Sequence, residues 1–166
     1  MATLLGVVFI GSATILQITV VGRINMLEGA ADLVLLVLLG WVLHARAEGI
    51  WQWGVLAGAF IGIASAQPVW LPIISYLSIT AIGYLIQTRV WQIPLLNLLT
   101  TTIAGTLIVH SLTSVYLIVI GTPLQLSEIF NLVILPSIFL NLLIALPIYS
   151  FMTAITNWVY PPEVEA

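Results

Sequence analysis

Side chains able to do chemistry are few in this 166-residue chain, and they are scattered. His110 is the one ionisable group expected inside an apolar run. At helical spacing it shares a face with Thr102, Thr106 and Thr113, a stripe of hydroxyls beside an imidazole. Such a stripe could touch a substrate or a proton. It could equally hold a neutral imidazole bonded to a hydroxyl or a neighbouring helix, with the threonines bonding back to their own i−4 carbonyls; this second state is the expectation. His44 falls in a connection and is expected in water. Two histidines far apart and no Cys make a poor metal site and exclude disulfides. No Lys is present, so Schiff-base chemistry is absent, and no H-E-x-x-H, G-x-S-x-G or G-x-x-x-x-G-K-[ST] motif occurs. All six acids sit at helix ends, in connections or in the tail, so no mid-membrane carboxylate is expected for a proton or sodium relay. The reading is a protein that is not an enzyme and carries no metal or cofactor.

Composition says what must position these groups. With 61% hydrophobic and 5% charged residues and a mean hydropathy of +1.22, the chain has more apolar surface than a soluble domain of its size can hide. An all-α integral membrane protein follows, one polytopic membrane domain over residues 1–166. Its apolar runs cover about 4–21, 30–44, 51–66, 72–86, 94–120 and 129–157, which predicts a bundle of six transmembrane helices. The first run lacks a basic flank before it and a small-residue cleavage site after it, so it reads as a span rather than a signal peptide. Net charge is −3 with no basic patch, which excludes nucleic acid. Six spans put both termini on one side. With that side cytoplasmic, Arg46 and Arg89 lie inside and Arg23 outside, the better fit to the positive-inside rule.

The second run is short: it either starts further back, near Met26, or is a broken element packed on protein. Asp32 stands where a helix N-terminus favours negative charge. In the third run Gly54, Gly58 and Gly62 repeat every four residues, a small-residue ridge that admits a second helix to backbone contact. That partner is expected within the chain. Trp51 and Trp53 at one end of the run, and Trp70 beyond the other, are read as interface anchors. The last run is the longest, and the rest is expected to be organised around it. Pro136 and Pro147 fall on nearly one side of it and free carbonyls that a neighbour must cover. Beside them runs the stripe Ser137, Asn141, Ala145 and Tyr149, and Asn141 is expected to face protein rather than lipid.

These residues also carry a resemblance. Asp32-Leu33-Val34-Leu35-Leu36, Gly40-Trp41, the glycine ridge Gly54-x3-Gly58-x3-Gly62 and Gly83-Tyr84-Leu85 resemble the first part of the bacterial rod shape-determining protein MreD family. Leu135-Pro136-Ser137-Ile138-Phe139-Leu140-Asn141, running on to Pro147-Ile148-Tyr149, is similar to that family's ending. The likeness covers about residues 30–156. It departs after the glycine ridge: the family often carries an Asp where this chain reads Ile63-Ala64-Ser65-Ala66-Gln67. The resemblance implies a non-enzymatic scaffold of the cell-elongation machinery, multi-pass in the bacterial plasma membrane. Its partner would be MreC, linking cytoplasmic MreB filaments to the peptidoglycan transpeptidase and glycosyltransferase. A second copy of the chain is a further expected partner. The implied fold resembles the six-helix substrate-binding subunits of energy-coupling-factor transporters. That likeness supplies the alternative, a vitamin- or metal-binding transporter subunit. Gly54, Gly58, Gly62, Pro136, Ser137, Asn141 and Pro147 are the candidate helix-packing or partner-interface residues.

Overall fold

A computed structural model describes residues 2–23, 25–44, 46–89 and 93–161. Loop residues 90–92 and the C-terminal residues 162–166, with Pro162 and the acidic tail, lie outside the described residues. Six helices follow in order: α1 (Ala2–Thr19), α2 (Leu33–Val42), α3 (Ile50–Ala64), α4 (Trp70–Arg89), α5 (Pro94–Val119) and α6 (Leu126–Val159). Four of them, α1, α4, α5 and α6, are long and apolar enough to cross a membrane. The chain is thus an all-α protein of membrane character.

The centre of the bundle is α2, not the last helix. All ten α2 residues are buried, and α2 packs against each of the other five helices. A helix apolar on every side lies either in lipid or inside protein, and its short length lets its neighbours enclose it. At 1.5 Å per residue it is about 15 Å long, half a hydrocarbon core, so its neighbours overhang it. The second run is therefore the broken element, one of the two forms its shortness allowed. Extended chain precedes it: strands β1 (Asn25–Met26) and β2 (Gly29–Ala30) pair antiparallel where the sequence suggested only a connection. Leu27, in the tight turn between them, has a φ of 56°.

One end of the bundle is fixed by indoles. Trp41 of α2 and Trp53 of α3 stack at 4.1 Å with 6° between their planes. Trp53 Nε1 donates to the Ala2 carbonyl at 2.9 Å, and Trp41 Nε1 donates to that of Glu48 at 3.0 Å. Tyr160 lies against Trp41, so the two ends of the described chain meet at this end. Trp53 is thus a core residue, correcting the reading of it as an interface anchor: its N–H is satisfied inside the protein. Trp51 and Trp70 are half exposed, as anchors are.

The glycine ridge packs inside the chain. A Cβ on Gly58 would overlap the backbone of Ile73 and stand 2.9 Å from the Pro72 carbonyl, while one on Gly62 would stand 2.9 Å from Val69 Cα. Gly54 faces the side chain of Thr80. All three glycines therefore lie on α4 or the turn that opens it, along one antiparallel seam.

Candidate functional site

The extended residues 28–32 run through the bundle without a full sheet to satisfy them, so each exposed backbone group needs another partner. Proline makes one available. Pro136 has no N–H to give the Leu132 carbonyl one turn back, and that carbonyl receives the Glu28 N–H at 3.0 Å. The helix widens just before the proline: residues 129–134 form π turns, and the Leu135 N–H reaches the Phe130 carbonyl. Close approach at this point needs Gly29, where a Cβ would stand 2.8 Å from Pro136 Cβ and from the Ser137 nitrogen.

Side chains complete the joint. Ala30 N–H donates to Ser137 Oγ at 3.2 Å and Asp32 N–H to Asn141 Oδ1 at 2.6 Å. The Asn141 amide nitrogen donates in turn to Thr106 Oγ1 of α5 at 2.9 Å. From the other flank Gln17 of α1 grips the same chain twice. Its Nε2 donates to the Ala31 carbonyl and its Oε1 accepts from the Leu33 N–H, both at 2.7 Å. Asp32 caps α2 by accepting the Leu35 N–H at 2.8 Å, and its second oxygen accepts the Tyr76 hydroxyl of α4 at 2.7 Å.

The structure thus brings Pro136, Ser137 and Asn141 together at the joint and puts Gly54, Gly58 and Gly62 on a separate seam. Asn141 is fully buried and faces protein, as expected. Pro147 is exposed, three turns beyond the part of α6 that the hairpin covers. The stripe continues from Ala145 to Met152 and Thr156 rather than along the proline side. The expectation that acids keep to helix ends holds for Asp32. The inference that none lies inside the bundle does not, because the end it caps belongs to a half-length helix wrapped by the others. Sequence reasoning missed two residues of the joint. Gln17, in the first apolar run, and Tyr76, in the fourth, are each a costly polar group awaiting a partner.

A pocket of about 180 Å³ opens beside Asp32, between the bundle midpoint and the end away from the indoles. Gln17, Asp32, Gln67, Tyr76, His110 and Thr113 give it its polar wall, and Ala31, Ile61, Pro72 and Val109 its apolar one. His110 lines it, while Thr106 bonds back to the Thr102 carbonyl at 2.8 Å and Thr113 Oγ1 lies 3.4 Å from Gln67 Oε1. Of the stripe, Thr106 bonds back to its own helix, Thr102 Oγ1 is buried with no hydrogen-bond partner among the described residues, and Thr113 joins His110 on the pocket wall. His44, expected in water, is half-buried with Nε2 3.1 Å from Asn157 Oδ1.

A second, apolar groove runs along the outside between α1 and α6. Val8, Phe9, Ser12 and Leu16 form one bank, Ile148 and Phe151 the other, and Ala13, Leu33 and Val37 the floor. Phe9 and Phe151 meet edge to face at 6.3 Å. A separate apolar pocket between the same two helices is lined by Leu4, Leu5, Trp158 and Val159. Compared with known protein families, with curated proteins and with solved structures, the chain matches none.

Proposed function

We propose that this chain is a non-enzymatic scaffold of the MreD kind, a six-pass protein of the bacterial plasma membrane. It binds MreC and through it couples cytoplasmic MreB filaments to the transpeptidase and glycosyltransferase of wall elongation. The observation that carries this reading is the α1–α6 groove. It is apolar and open to lipid, with small Ser12 and Ala13 where another helix must come close. A partner with one apolar span fits such a seat, and MreC is of that class. The use of polar residues agrees: Ser137, Asn141 and Gln17 bond backbone of the chain itself rather than converge on a substrate.

Filling the groove tests it. Ser12 is exposed on the bank, so Ser12→Trp leaves the core untouched. The expected result is normal folded yield with at least tenfold less MreC co-purified from the native membrane. Unchanged capture would remove the groove from the interface, and absence of MreC from the wild-type preparation would overturn the scaffold reading itself.

In this reading both termini are cytoplasmic. The indole end gathers Ala2 and Tyr160, and the connection bearing Arg46 leaves from that end, as the positive-inside rule favours. Reporter fusions that put the C-terminal tail outside would contradict it. A second reading has its own support in the polar pocket: a small-molecule-binding subunit of an energy-coupling-factor type transporter, whose six-helix fold the bundle would resemble.

A further inference from the structure

We propose that the pocket beside Asp32 is a binding site for a small organic cation bearing a primary ammonium group. The inference goes beyond the scaffold reading and does not depend on it, since the pocket and the α1–α6 groove share no lining residue.

Charge makes the first argument. A carboxylate within a membrane bundle is costly unless paired. The protein donors to Asp32, the Leu35 and Val34 N–H groups and the Tyr76 hydroxyl, are neutral, and among the described residues no Arg lines the pocket; the chain has no Lys at all. His110 is the other titratable side chain on the wall besides Tyr76. A ligand cation supplies the missing charge, and with three of its roughly four lone-pair sites used the carboxylate keeps one for it.

Acceptors make the second. An ammonium has three donors. Asp32 takes one, and Ser75 Oγ, which spends its proton on the Leu71 carbonyl at 3.0 Å, can accept another. Tyr76 likewise donates its proton to Asp32 and keeps its oxygen free to accept.

Size and polarity make the third. A pocket of about 180 Å³ holds roughly six waters' worth of volume, at ~30 Å³ each. That volume suits a compact organic amine. Ala31, Ile61, Pro72 and Val109 offer an apolar wall opposite the carboxylate, which suits a hydrocarbon body carrying one charged head. Gln67, in the turn between α3 and α4, lines the pocket on the side away from the indoles.

The test uses the purified full chain in detergent, with thermal unfolding read against cyclohexylammonium chloride at millimolar concentration. Cyclohexanol, sodium chloride and tetrabutylammonium chloride are run beside it. Cyclohexylammonium alone is expected to raise Tm in a saturable way. Asp32→Asn, which keeps the helix cap, should abolish the rise. Val109→Phe, which fills the pocket without touching the carboxylate, should abolish it too and serves if Asp32→Asn does not fold. An equal rise with cyclohexanol would show an apolar site indifferent to charge. An equal rise with sodium would show an inorganic cation site, and a rise that survives Val109→Phe would show binding elsewhere. Any of these, or no rise at all, overturns the proposal.

Discussion

Gly58→Leu is expected to abolish the folded protein: monodisperse yield in detergent should fall at least tenfold, and any captured MreC should fall with it. The glycine meets backbone on α4, Ile73 and the Pro72 carbonyl, and backbone cannot rotate away. Lipid solvates Leu and Val as well as protein does, so helices hold together by close contact and polar pairs, which a wedge removes along the whole seam. Overpacking costs about 1–3 kcal/mol where side chains can shift. With backbone on the far side the cost should reach the top of that range, and each 1.4 kcal/mol is a tenfold change in an equilibrium. Gly54→Leu should be milder, because Thr80 presents a side chain that can change rotamer. Ile61→Leu, a volume-conserving swap, should cost less than about 1.5 kcal/mol. Normal folding of Gly58→Leu with loss of MreC alone would mean that the ridge faces the partner instead of α4. No change in either would mean that no seam exists.

That ridge was legible because its signal is local. Gly54, Gly58 and Gly62 lie on one stripe of one helix, and their spacing alone implies close contact with something. Asn141 was legible for the same reason: an amide in the middle of an apolar run must find protein. What it finds was not legible, because its partners lie on α5 and on the extended chain before α2, more than a hundred residues away in the second case. The short second run hinted at a broken helix, yet a run of Leu and Val broken only by Gly40 and Trp41 carries no mark of whether lipid or protein surrounds it. Its central place follows only from its neighbours. Trp53 shows the same limit: an indole near a helix end reads as an anchor until its stacking partner Trp41, on another helix, is in view.

The joint has an order of importance that can be measured. Asn141→Leu keeps roughly the side-chain volume and removes both of its bonds. The Asp32 N–H then loses its acceptor inside the bundle, which costs about 1–3 kcal/mol. The Thr106 hydroxyl loses a donor but keeps its bond to the Thr102 carbonyl, and a side-chain pair of this kind in a membrane averages about 0.6 kcal/mol. Together the loss is expected to be about 2–4 kcal/mol, read as a lower midpoint in denaturing-detergent titration. Ser137→Ala breaks one longer bond, to Ala30, and should cost about 1 kcal/mol. Pro136→Ala acts differently: it restores an N–H that competes with Glu28 for the Leu132 carbonyl, so it should loosen the hairpin while straightening α6. Amide exchange separates the cases, because Asn141→Leu should expose the N-terminus of α2, and Pro136→Ala the β1–β2 ribbon. If Asn141→Leu costs no more than Ser137→Ala, the extended chain is held by Gln17 and the Asp32 cap alone, and the α6 side of the joint is incidental.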